Sequence, residues 1–232
     1  MHDIVYILKN DINNDYEELI YSLRSVEQNF PYNMVWFAGG KPNDIHPDGW
    51  LKLQQKGKDK WTKVRNTLQT ICKTPEISED FWLFNDDFFI MQPVEDCPTA
   101  VTGTMYKRIQ ELMYRNNTSQ YAQELFIAKK TLEKHKLETL NYALHIPILI
   151  NKTKALETLK TFPNSPMFRC CYGNQHNLAK IIMSDVKIHN TDQIPTGEEI
   201  YLSTSNKSFH QGKAGDYIRQ QFTDKSSYEY ET

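Results

Sequence analysis

Several features that would betray a chain's business at a glance are missing from this one. Four cysteines in 232 residues, Cys72, Cys97, Cys170 and Cys171, show no Cys-x-x-Cys spacing, which argues against a zinc knuckle and reads as reduced thiols in a cytoplasmic setting. No apolar run approaches the roughly 18 to 20 residues of a bilayer span, and the amino terminus lacks the basic flank and long apolar core of a signal peptide. The net charge of −2 gives no global attraction for nucleic acid, although a local groove of Lys and Arg would suffice for DNA. Gly-x-Ser-x-Gly, His-Glu-x-x-His and the dinucleotide Gly-x-Gly-x-x-Gly are all absent, and Gly212-Lys213-Ala214-Gly215 is no Walker motif. There is no internal repeat and no low-complexity stretch.

What is present is an α/β pattern of a length suited to one domain. Ile4 to Leu8 is a short apolar run, read as a strand buried on both faces. It stops at Lys9-Asn10-Asp11, where a nucleotide could be met. Leu19, Leu23 and Val26 recur at helical spacing between Tyr16 and Asn29, and Met34 to Ala38 forms the next strand, so the opening reads β-α-β with a parallel pair. A loop over 44–59 carries a short element around Trp50 to Leu53, and a helix over 61–73 follows. Beyond residue 95 the pattern predicts helices over 105–115, 119–137, 151–159 and 168–183, the last interrupted near Gly173, strand-like stretches at 142–150 and 186–188, and a polar loop over 203–216 before a last helix over 217–222.

The most unusual stretch is Phe81-Trp82-Leu83-Phe84-Asn85-Asp86-Asp87-Phe88-Phe89, where two carboxylates interrupt an aromatic run. Burying an ionised carboxylate costs several kcal/mol unless it is paired or binds a cation. The expectation is a strand over 81–84 with Asn85-Asp86-Asp87 at its carboxyl end, the edge where open α/β sheets bind ligands. A turn there would bring both acids to one ion, and Mg²⁺ or Mn²⁺ suits such oxygen donors. The plainer alternative is a turn whose side chains bond their own backbone.

Other candidates are weaker alone. His145 lies in an apolar stretch and reads first as a satisfied core histidine, although Pro147 could bend the backbone and aim the ring into a cleft as base or ligand. His210, in the polar tail, is either a third metal ligand or a solvated loop histidine. Arg24, Lys63 and Arg169 could meet phosphate, or be ordinary surface charges.

Taken together, Asp3 to Tyr6, Glu18 to Glu27 with its Tyr-Ser-Leu-Arg-Ser, Ile77 to Phe89 with its Asn-Asp-Asp, and His145-Ile146-Pro147 resemble the Stealth-type sugar-phosphate transferases and their short bacterial and phage glycosyltransferase-like relatives. After the first strand, Ile7-Leu8-Lys9-Asn10 stands where the family has a Thr-Trp-Val-Asp-Gly type of sequence, and Val64 to Thr67 only loosely resembles its Asn-Ser segment. The resemblance implies a GT-A-like (Rossmann-like) fold with a mixed, mostly parallel sheet flanked by helices, divided into a donor-binding half over 1–95 and an acceptor-side half over 96–232. It implies a metal-dependent transferase using a nucleotide sugar, expected to be a uridine diphosphate sugar, with a glycan, protein or modified DNA as acceptor. Asp86 and Asp87 would hold Mn²⁺ or Mg²⁺, Asp87 and His145 would serve the chemistry, and Lys9, Asn10, Arg24, Lys63, Asn66 and Arg169 would bind donor. Sugar-1-phosphate transfer and a non-catalytic sugar- or partner-binding domain are the alternative expectations.

Overall fold

In the computed structural model, which describes residues 1–10, 16–57, 59–178 and 181–230, β1 (Asp3–Leu8) lies at the middle of a five-stranded sheet. Helix α1 (Glu17–Asn29) crosses to β2 (Val35–Gly39), which pairs in parallel with β1, and β3 (Gly49–Leu51) adds in parallel outside β2. Helix α2 (Lys60–Lys73) then returns the chain to the other side of β1, where β4 (Asp80–Phe84) pairs with β1 in parallel. The order β3-β2-β1-β4 therefore reverses direction between β1 and β4, which opens a crevice at their carboxyl ends.

Alternation along β1 explains why the sheet is covered on both faces. Ile4, Tyr6 and Leu8 pack with Leu19, Leu23 and Val26 of α1, whereas Val5 faces Leu68 and Ile71 of α2. Continuous apolar strands are what such double burial requires.

Strand β5 (Phe88–Ile90) follows β4 after a short turn but belongs to a different sheet. The chain then runs through β6 (Ala100–Val101), α3 (Met105–Tyr114) and α4 (Gln120–Lys134) before β7 (Ile148–Asn151) closes the main sheet antiparallel to β4. Helices α5 (Lys152–Thr161) and α6 (Phe168–Gln175) precede β8 (Ile181–Ile182), parallel to β6. Next come β9 (Lys187–Ile188) and β10 (Tyr201–Thr204), which with β5 form a three-stranded sheet in the order β5-β10-β9. Helices α7 (Asn206–His210) and α8 (Lys213–Gln221) end the regular structure.

The opening β-α-β, the strand before Asn-Asp-Asp and the edge position of the Pro147 segment agree with the sequence. Three segments differ. The strand expected over 142–150 narrows to β7, leaving Tyr142 to Pro147 as a loop. The helix expected over 168–183 ends at Gln175, and Ile181–Ile182 is a strand. The supposed polar loop over 203–216 contains the end of β10, all of α7 and the start of α8, because Ser205 caps α7 with a capping box. Asp11, Lys58 and residues 179 and 180, which fall within expected elements, lie outside the described residues. Among the described residues no helix is long and apolar enough to cross a membrane.

Candidate functional site

The two acids sit on a tight turn at the crevice. The Phe88 N–H donates to the Asn85 carbonyl at 3.3 Å, so Asp86 and Asp87 occupy the two central positions between β4 and β5. Helix α1 fixes the strand that follows. Ser22 Oγ donates to the Phe88 carbonyl (2.5 Å), Ser25 Oγ accepts from the Ile90 N–H (3.1 Å), and Asn29 Nδ2 donates to the Ile90 carbonyl (2.7 Å). These side chains satisfy the edge of β5 that no strand covers. The serines of Tyr-Ser-Leu-Arg-Ser and the Asn-Asp-Asp turn are thus two parts of one device, since the first holds the strand that begins where the second ends.

Charge gathers around the turn from distant parts of the chain. Lys187 Nζ meets Asp87 Oδ2 at 2.5 Å, with the two side chains only 16% and 14% exposed. The other oxygen, Asp87 Oδ1, is buried without a hydrogen-bond partner. Glu18 of α1 accepts from Thr204 Oγ1 at 2.9 Å. Burial raises the Glu18 carboxyl to about 7, with Asp87 and Asp86 adding to the rise against the Thr204 bond and Lys187. Burial and then the neighbouring Asp87 push Asp86 up to about 6. Lys187 bonds Asp87, while Asp86 and Glu18 feel it only through its charge, so the cluster holds more negative charge than it neutralises.

On the far side of Lys187 stands His145. Because β7 is antiparallel to β4, Leu83 pairs with Ile148, and the loop that enters β7 lies at the same end of the sheet as Asp86. The His145 backbone N–H meets Asp185 Oδ1 at 3.0 Å, and its Nδ1 lies 2.8 Å from Asp185 Oδ2. The Phe88 ring stands edge-on to the imidazole, with centroids 6.4 Å apart. Arg169 donates to the carbonyls of Leu144 (2.8 Å) and Ile146 (2.7 Å), one on each side of His145. Asp185 feels burial pushing its carboxyl up, but the His145 contacts and Lys187 outweigh this and hold it below the usual range. The imidazole of His189 is depressed by burial, Lys187 and His145. A cavity of about 420 Å³ opens beside Asp185, lined among others by Arg108, Glu111, Tyr121, Asn141 and Ile182. Its size falls within the range of about 300–1,000 Å³ common to small-ligand sites.

The remaining candidates are distributed differently. Lys9 and Asn10 follow β1 at the crevice, where the Lys9 carbonyl accepts from Tyr16 and Asn10 Nδ2 donates to the Leu53 carbonyl at 2.6 Å. Asn66 is tied to the Lys56 carbonyl and Lys63 is exposed on α2. The Arg24 guanidinium grips Glu229 through two 2.7 Å bonds and donates to the Phe222 carbonyl at 2.9 Å, which ties α1 to the tail. Arg169 is likewise occupied by carbonyls. His210 pairs with Glu17 at 3.2 Å, and among the described residues no three His, Cys, Asp or Glu side chains gather as metal ligands, so it is not brought to Asp86 and Asp87. The Gly212–Gly215 segment starts α8, and a Cβ on Gly215 would fall 1.8 Å from the Phe209 carbonyl oxygen, so that glycine serves helix packing.

Glu18, Asp185, Lys187 and His189 were not candidates from sequence. A signal for three of them was there: Asp185-Val186-Lys187-Ile188-His189 alternates polar with apolar, so a strand directs the three polar side chains to one face.

The residues at the turn fit a divalent ion in donor chemistry, since the buried Asp87 Oδ1 lacks a partner and Asp86 is held back from ionising by burial and then by Asp87. No protein-family model matches this chain, and no curated protein matches it.

Proposed function

We propose that the protein is a metal-dependent glycosyltransferase of GT-A-like architecture that moves a sugar from a nucleotide sugar to an acceptor hydroxyl. The observation that carries this reading is the over-acidic Asp86–Asp87 turn at the carboxyl end of β4, beside the β1–β4 crevice. Asp86 and Asp87 would hold Mn²⁺ or Mg²⁺, which when bound supplies a Lewis acid against the charge of a diphosphate leaving group. Lys9, Asn10 and the ends of β1 and β2 form the nucleotide side of the crevice. Lys187, released from Asp87, is placed to meet a phosphate, a role for which Arg24 and Arg169 are already spent. His145 supports the reading from the other side as the group that takes the acceptor proton, and the 420 Å³ cavity gives an acceptor room.

The test is turnover of a panel of uridine diphosphate sugars with Mn²⁺ by the wild-type chain and by Asp87→Asn. Loss of turnover in the variant, with its fold intact by circular dichroism, is the expected outcome. Unchanged Mn²⁺-dependent turnover in Asp87→Asn would overturn the assignment. Release of the nucleoside monophosphate in place of the diphosphate would make the reaction a sugar-1-phosphate transfer at the same site.

A further inference from the structure

The His145 ring is constrained from several directions. Its backbone N–H meets Asp185 Oδ1 at 3.0 Å, and its Nδ1 reaches both oxygens of the same carboxylate, 2.8 Å from Oδ2 and 3.0 Å from Oδ1. Phe88 bounds it edge-on, and Arg169 pins the carbonyls before and after it. A core histidine needs one partner; this one is oriented, and it remains 32% exposed. An ionised carboxylate can only accept, so Nδ1 carries the proton and Nε2 presents a lone pair. We infer that Asp185 is a positioning residue that fixes His145 in the Nδ1–H tautomer, making Nε2 the base for an acceptor hydroxyl.

The charged groups around the ring agree with this role. Lys187 acts on both Asp185 and His189, His189 also feels the ring itself, and Arg169 feels Asp185. Asp185 stabilises the charge on the ring once a proton has moved. In the step itself the acceptor O–H proton passes to Nε2, and the oxygen bonds to the anomeric carbon. The bond from that carbon to the diphosphate oxygen breaks, and the nucleoside diphosphate leaves with the electron pair. The proton on Nε2 is later lost to water.

The chemical step rests on the transferase reading, whereas the tautomer does not, and this separates the two in experiment. Asn in place of Asp185 has one accepting oxygen. With that oxygen on the His145 backbone N–H, the amide NH₂ takes the place of Oδ2, the atom nearest Nδ1 at 2.8 Å, and as a donor it favours the Nε2–H form of the ring. Nitrogen-15 NMR of the full chain, labelled in histidine, is expected to show Nδ1–H for His145 in the wild type and Nε2–H in Asp185→Asn. Hydrolysis of UDP-glucose with Mn²⁺, in which water replaces the acceptor, is expected to lose about 10²–10⁴-fold in kcat with little change in KM in Asp185→Asn. Asp185→Glu should recover part of the rate. An Nε2–H tautomer in the wild type refutes the inference. So does an Asp185→Asn variant with unchanged kcat. If the wild type turns over no nucleotide sugar while the tautomers behave as described, the transferase reading fails and the orientation of His145 by Asp185 stands.

Discussion

Glutamine in place of Glu18 should stabilise this protein at alkaline pH and leave it nearly unchanged at acid pH. Glu18 is half-buried, bonded to Thr204 and faced by Asp86 and Asp87, and its carboxyl is raised from 4.5 to about 7. A carboxyl whose folded value is raised holds its proton more tightly in the fold than in the unfolded chain. The folded state therefore loses stability as pH climbs from 4.5 to about 7, and the full cost is present above that window. At about 1.4 kcal/mol per tenfold change the limit is about 3 kcal/mol. Solvent screening and the coupling to Asp86 reduce the expected gain to about 1.5 kcal/mol at pH 8, or about 3–6 °C in Tm for a chain of this size. At pH 4.5 wild-type Glu18 is protonated in the fold, and Gln reproduces its shape and its bond to Thr204, so the difference should approach zero. Urea denaturation of both proteins at the two pH values reads this directly. Saturating Mn²⁺ should shrink the gain at pH 8, because a cation at the turn removes the repulsion. A Glu18→Gln variant that is destabilised at pH 8, or equally shifted at both pH values, would show that Lys187 already neutralises the cluster and would refute the excess of negative charge.

Other perturbations separate structure from site. Arg24→Ala should lower stability by about 2–4 kcal/mol in urea titrations, since it strands Glu229 and frees the Phe222 carbonyl, while nucleotide affinity measured by calorimetry stays the same; a loss of affinity without a loss of stability would return Arg24 to the donor. Gly215→Ala should cost more than about 2 kcal/mol because α8 must move away from the Phe209 carbonyl, visible as a fall in Tm. Ile182→Trp, on a side chain 78% exposed, should leave stability within about 0.5 kcal/mol and partly fill the cavity. It should slow transfer to an added acceptor more than hydrolysis of the donor, as read by product chromatography.

The parts of this architecture that sequence revealed are those in which local chemistry was out of place. Carboxylates inside Phe84 to Phe88 required an explanation, and the turn at Asn85 provides it. Continuous apolar runs at 4–8 and 34–38 had only a buried parallel sheet to belong to. Glu18 gave no such signal, because a glutamate beside an apolar stripe looks the same whether it faces water or two other acids. Arg24 looked like a phosphate ligand because its partner, Glu229, lies 205 residues away. A short strand at 186–188 was legible, but the meaning of Asp185, Lys187 and His189 in and beside it depended on the antiparallel β7, whose entering loop carries His145. The strand before it was overextended because Tyr142, Leu144 and Ile146 are buried in a loop as completely as they would be in a sheet.

On the proposed transferase reading, the bond between Lys187 and Asp87 carries a consequence for the order in which ion and nucleotide arrive. An ion that arrived alone at Asp87 would displace an ammonium from its carboxylate in a half-buried place, and a diphosphate that arrived alone would face Glu18 and Asp86 without a counter-charge. Each arrival removes the obstacle to the other, because a displaced Lys187 needs an anion and the phosphates need a cation. Ion and nucleotide should then bind as a positively coupled pair, each weak by itself, with Lys187 as the hinge of the exchange.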